Sequence, residues 1–229
     1  MKESSPEQLT IEVGATAVSA LLVRPEPARA CFVFAHGAGA GMTHAFMETV
    51  ATGLAGRGIA TLRYQFPYME KGSKRPDPPA IAIATVRAAV AEAARACPGL
   101  PLIAGGKSFG GRMTSQAQAK ALLKGVEGLA FFGFPLHASG KPSSDRADHL
   151  ADVHIPMLFL QGTNDKLADL GLLKPVVAGL SGLASLHLVE GADHSFHVPV
   201  RSGRNDREVM EELLDAFAAW SKTLEARRA

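Results

Sequence analysis

Ser108 stands between two glycines in Gly106-Lys107-Ser108-Phe109-Gly110, directly after the apolar run Pro101–Ala104. The spacing G-x-S-x-G suits a chain that leaves a strand and enters a helix within about one residue. Such a turn strains the serine backbone, and side chains two residues to either side would collide. It also lifts the hydroxyl out of the sheet and sets helix N-terminal N–H groups beside it, where an oxyanion can be stabilised. The expected chemistry is attack by an activated serine on a carbonyl. A serine at its free pKa is a weak nucleophile and needs a neighbouring base.

The chain has eight histidines. His194 has the position a base needs, in the small-residue segment Glu190-Gly191-Ala192-Asp193-His194-Ser195-Phe196 after the last apolar run. His197 is the alternative base or a substrate contact, whereas His187 lies inside a strand and His154 just before one. An imidazole base needs an acid to fix its tautomer and stabilise its charged form. Asp165, after Leu158–Leu160 and Gln161-Gly162-Thr163-Asn164, is the candidate; its alternative role is to cap a helix starting near Lys166. The first glycine cluster, His36-Gly37-Ala38-Gly39, can bend so that the Ala38 N–H faces the serine oxygen, with the Phe109 N–H as second donor. His36 is expected to brace that loop.

Other motif readings fail on spacing. Gly106-Lys107-Ser108 resembles the end of a phosphate-binding P-loop, but the required first glycine falls on Pro101. Lys107 is then expected on the solvent side of the turn. A dinucleotide fingerprint begun at Gly37 or Gly39 would place its third glycine on Met42 or His44. His194-x-x-His197 lacks a third ligand in fitting context, so neither a metal nor an organic cofactor is expected.

Elements that could position these residues alternate along the chain. Leu9–Val13 and Val18–Val23 read as an antiparallel hairpin. Strands are then expected at Cys31–Ala35, Ile59–Tyr64, Leu100–Ala104, Leu129–Phe134, Met157–Leu160 and Ser185–Val189. Helices are expected at Thr43–Arg57, Ala80–Ala96, Phe109–Leu123, Lys166–Leu180 and Asn205–Ala226, with Gln65–Pro79 a Pro-rich loop. Asn205 and Glu208 have capping-box spacing. Strands alternating with helices predict an α/β class and a mostly parallel sheet of eight strands flanked by helices on both faces. Active sites of such sheets lie at the carboxyl ends of the strands.

The 229 residues fit one domain, 1–229; 47% are apolar and 20% charged. The net charge of +2 is too even for a protein that coats nucleic acid or an anionic membrane. There is no apolar run of 18 residues, and the segment MKESSPEQLT lacks the apolar stretch of a secretory signal. Two cysteines, Cys31 and Cys97, cannot form a disulfide framework. A cytoplasmic location and a monomer or homodimer are expected.

On FAHGAGAG, GGKSFGG, FLQGTND and EGADHSF, each at a strand end, the chain resembles the α/β-hydrolase superfamily over nearly its whole length. It is more closely similar to the small lidless family of predicted hydrolases of the α/β-hydrolase fold, which includes a subunit of an animal histone-acetyltransferase complex. The segment Arg63–Glu70, followed by Arg75-Pro76-Asp77-Pro78-Pro79, carries that closer resemblance. The family is loosely similar to dienelactone hydrolases, whose nucleophile is a cysteine where this chain has Ser108. The order Ser108, Asp165, His194 matches that of α/β-hydrolases. The resemblance implies a serine hydrolase of small carboxylic esters or thioesters; the alternatives are a non-catalytic binding or scaffold protein, and an acyltransferase or peptidase with the same triad. Only His137–Ile155 is available for a lid, too short for a cap domain, so the site should be open and shallow. Met42, Phe66, Pro67, Tyr68, Phe134, Leu136 and Phe196 are its candidate walls, and Lys71 and Arg75 would suit a small acidic ester.

Overall fold

The computed structural model describes residues 6–180 and 182–227. Residues 1–5, half of the segment read as lacking a signal, lie outside them. Eight strands form one sheet: β1 (Glu7–Val13), β2 (Thr16–Val23), β3 (Ala30–Ala35), β4 (Ile59–Tyr64), β5 (Leu102–Lys107), β6 (Val126–Phe132), β7 (Met157–Gly162) and β8 (Ala184–Val189). Their spatial order is β1-β2-β4-β3-β5-β6-β7-β8. β1 pairs antiparallel with β2 and β2 antiparallel with β4, and every later pairing is parallel. The hairpin and the α/β architecture agree with the pattern of apolar runs.

β3 and β4 are buried along their whole length, as continuous apolar runs require when helices cover both faces. Phe32, Phe34 and Phe132 point to one face, against Met47, Val50 and Leu54 of α1 (Ala45–Ala55) and against Leu213, Leu214 and Phe217 of the last helix. Val33, Ala35 and Phe131 point to the other. There α2 (Pro67–Glu70) is followed by α3 (Pro79–Ala96) and α4 (Phe109–Lys120). α5 (Leu170–Ala178) and α6 (Asp206–Glu225) complete the set. The expected capping box on α6 is formed, with Asn205 accepting from the Glu208 N–H and Glu208 accepting from the Asn205 N–H.

Two local expectations need correction, and the short His137–Ile155 connection gains a helical turn. The Pro-rich segment after β4 contains the one-turn α2, because Pro67 at its first position has its φ already set for a helix. The helix expected from Lys166 starts only at Leu170, where Asp169 caps it by accepting from the Leu172 N–H. Asp165 is thereby left in a turn. Within His137–Ile155, residues Asp145–Asp152 form a 3-10 helix that packs on α4, so the short connection is held down rather than extended over the site.

Candidate active site

Ser108 follows β5 and precedes α4 with φ 49° and ψ −115°, a left-handed conformation that a non-glycine residue rarely adopts. The flanking glycines are there for space. A Cβ on Gly106 would lie 2.4 Å from the Ala35 carbonyl oxygen, and one on Gly110 would lie 2.6 Å from that of His36. The turn therefore packs directly on the end of β3.

β7 and β8 bring the other two residues to the same edge. Asp165 follows β7 and His194 follows β8, and the two loops are stitched together by backbone. Thr163 N–H donates to the Val189 carbonyl at 3.0 Å and Asn164 N–H to that of Ala192 at 2.9 Å. The Gly191 N–H donates to Thr163 Oγ1 at 2.8 Å. Across this joint His194 Nδ1 lies 2.7 Å from Asp165 Oδ2, and His194 Nε2 lies 2.8 Å from Ser108 Oγ. The serine, histidine and aspartate singled out from the sequence thus form one hydrogen-bonded row. Burial opposes ionisation of Asp165. The hydrogen bond and charge of His194, the Leu167 N–H and the Lys107 charge outweigh it and hold the carboxyl below its ordinary value.

The sequence reading missed residues that hold this row. Gln161, fully buried at the end of β7, donates through Nε2 to Asp165 Oδ2 at 2.5 Å and accepts from the Phe134 N–H at 2.9 Å. Its only signal was an amide closing the run Met157–Leu160. Asp193 shapes the His194 turn: its Oδ1 accepts from the Ser195 and His197 N–H groups at 2.8 and 3.0 Å. That turn puts Phe196 at φ 65°.

Lys107 is not the solvent-side residue the motif suggested. Its Nζ donates to the His194 carbonyl and lies 5.1 Å from the ring centre of Phe196 and 5.7 Å from that of Phe46. Burial pushes its pKa down to about 8, against the opposing charges of Asp165 and Asp193. The strand continues past Ala104 to Lys107, and this carries the side chain beneath the histidine loop.

The loop after β3 is braced as expected of His36. Its Nδ1 hydrogen-bonds the Gly37 carbonyl at 2.7 Å and its Nε2 accepts from the Phe66 N–H at 3.1 Å, so the ring is neutral; burial takes its pKa to about 4. The Gly39 N–H donates to Tyr68 Oη and the Met42 N–H to Gln65 Oε1. Among the described residues, the N–H groups of Ala38 and Phe109 have no acceptor. Ala38 is exposed and Phe109 partly so.

The candidate walls divide. Phe66, Phe134 and Leu136 have no exposed surface, and Pro67 is buried. Phe134 packs against Phe131 and Phe159, and Phe66 against His36, Tyr64 and Phe109; these side chains support the site from within the core. Tyr68 uses its hydroxyl on Gly39, and Phe196 stacks on Phe46. Met42 retains a small exposed area. Lys71 lines a cleft with Val13, Gly14 and Ile81, against the β1–β2 hairpin. A surface depression of about 930 Å³ lies along α6 between His187 and Ala219 and contains none of the strand-end residues. His197 is bound to Asp206, which raises its pKa, and is not in the row. Among the described residues no group of three or more His, Cys, Asp or Glu side chains is arranged to hold a metal ion. No described helix is long and apolar enough to cross a membrane.

The α/β-hydrolase domain family matches residues 28–222, and the chain belongs to it. The fold recurs in a dienelactone hydrolase from Anabaena variabilis, with 19% identity, a TM-score of 0.76, and 95% of this chain and 97% of that one covered. It recurs in a lidless α/β serine hydrolase from Xanthomonas campestris at 19% identity and a TM-score of 0.73, with 95% of both chains covered. An α/β serine hydrolase homologue from Coxiella burnetii gives 20% identity and a TM-score of 0.73 over 92% of this chain and 96% of that one.

Proposed function

We propose that this protein hydrolyses small carboxylic esters or thioesters through an acyl-enzyme on Ser108. The observation that carries the reading is the continuous row from Ser108 Oγ through His194 to Asp165, with bonds of 2.8 and 2.7 Å. Asp165 accepts the Nδ1–H of His194, which leaves the Nε2 lone pair to take the serine proton as Oγ attacks the carbonyl. The imidazolium formed is stabilised by the ionised Asp165. The uncommitted N–H groups of Ala38 and Phe109 receive the tetrahedral oxyanion. His194 then gives its proton to the leaving alcohol or thiol. A water molecule repeats the sequence on the acyl-enzyme, releasing the acid and regenerating Ser108. The esterase and serine hydrolase descriptions of fold neighbours agree with this chemistry.

The test is mass spectrometry of the intact protein after exposure to a fluorophosphonate, run beside hydrolysis of p-nitrophenyl acetate and butyrate. Wild type should gain one adduct on Ser108. Ser108→Ala should gain none and should lose at least about 10³-fold in kcat/KM while keeping its melting temperature. Unchanged turnover in the variant, or a folded wild type that neither labels nor turns over esters, overturns the reading.

A further inference from the structure

α4 and the 145–152 3-10 helix run side by side in the same direction. α4 starts at Ser108, at the carboxyl edge of the sheet; the 3-10 helix ends just before β7, at the opposite edge. They touch where Ser115 Oγ meets His149 Nε2 at 2.8 Å. Three residues back along each helix, about one turn nearer the active-site edge, stand Arg112 and Arg146. Helical side chains lean toward the N-terminus of their helix, so Arg112 leans toward the Ser108 end of α4. Its own N–H donates to the Ser108 carbonyl at 3.1 Å.

The register of the Ser115–His149 contact puts both arginines on the adjoining turn of their helices, and the Arg146 charge acts on Arg112. Among the described residues neither forms an ion pair, although Asp145 and Asp148 adjoin Arg146 in the chain. Arg112 Nε is buried and has no acceptor. Burial, together with the Arg146 charge, lowers the Arg112 pKa. His149 gives no relief, because burial and the Arg112 charge keep it neutral with a pKa of about 4, against the opposing charges of Asp148 and Asp152. Arginine does not escape such a position by losing its proton. An unneutralised, partly desolvated pair of cations is unfavourable, and an anion between them would satisfy both. The planar fork of each guanidinium matches a carboxylate oxygen pair.

We propose that Arg112 and Arg146 form a carboxylate-binding subsite beside Ser108, which selects esters that carry a free acid group. The proposal refines the hydrolase reading and rests on it for the catalytic half only. It places the charge selectivity on α4 and the 3-10 helix, away from Lys71 and Arg75.

Two measurements test it. The first compares kcat/KM for p-nitrophenyl monoesters of succinate, glutarate and adipate with that for the butyrate ester. At least one acid-bearing ester should be favoured by about tenfold or more. That ratio should fall about tenfold in Arg146→Ala, a change on the half-exposed side of a short helix, and should shrink at about 0.5 M salt. The second follows the arginine Nε–Hε NMR resonances of wild type during titration with glutarate or inorganic phosphate, with Arg112→Lys assigning its signal. The Arg112 signal should move with glutarate, and the movement should weaken in Arg146→Ala. Lack of acid preference in an active enzyme, a preference unaltered in Arg146→Ala, or an Arg112 signal that responds to phosphate alone each overturns the subsite. Glutarate binding as described in a protein that hydrolyses no ester leaves the subsite standing and removes the hydrolase reading.

Discussion

A Cβ placed on Gly162 would lie 2.3 Å from the carbonyl oxygen of Ala192. This close approach lets the loop after β7 and the loop after β8 share backbone hydrogen bonds, and it sets the span across which Asp165 reaches His194.

Gly162→Ala should therefore separate the two loops. The obstruction is backbone, which cannot rotate aside as a side chain would, so the expected loss of stability is about 1–3 kcal/mol. The kcat for a neutral ester should fall more than KM rises, because alignment of the row is disturbed. Thermal unfolding and steady-state kinetics on the same preparation check both parts.

Asp165→Asn should keep the packing and lose the charge. With an amide in place of the carboxylate, His194 is no longer held with its Nδ1 protonated, and the imidazolium loses its stabilisation. A fall of about 10⁴ in kcat is expected. Asp165 has a depressed pKa, so its ionised form contributes stability above its unfolded value, and that contribution is lost as pH falls through the lower folded value. Acid unfolding of wild type should show this loss, and Asp165→Asn should not.

Lys107→Met should leave the His194 carbonyl without its donor and lower kcat by about tenfold through misplacement of the imidazole. The stability effect has a defined pH window. The folded pKa of about 8 lies below the ordinary value of 10.5, so between them the unfolded chain holds a proton that the folded one has released. Wild-type stability relative to Lys107→Met should thus rise from pH 8 to 10.5 and be flat on either side. Melting curves of the two proteins across that range give the comparison.

Gly110→Ala should not be accommodated by small shifts, since its Cβ would meet the His36 carbonyl, the Ala35 carbonyl carbon and the Ala35 Cβ, all within 2.7 Å. Loss of soluble folded protein, or a drop in melting temperature with loss of fluorophosphonate labelling, is the expected result. Full labelling at wild-type stability would contradict the packing argument.

The sequence by itself determined the alternation of strands and helices, because burial on two faces writes continuous apolar runs and amphipathic helices into the chain. It also marked Ser108, Asp165 and His194, since each stands beside a glycine-bearing turn at a strand end, where such residues have few other uses. Ala38 and Phe109 are expected as oxyanion donors from the same turns. Only the tertiary structure decided what surrounds them. Lys107 read as a surface residue because nothing local says that the His194 loop closes over it. Phe66 and Phe134 read as walls because a large apolar side chain near a strand end has the same sequence signature whether it faces a substrate or the core. Gln161 and the Arg112–Arg146 pair left no periodic trace. What each one meets depends on how β7, α4 and the 3-10 helix pack, which spacing along one chain does not encode.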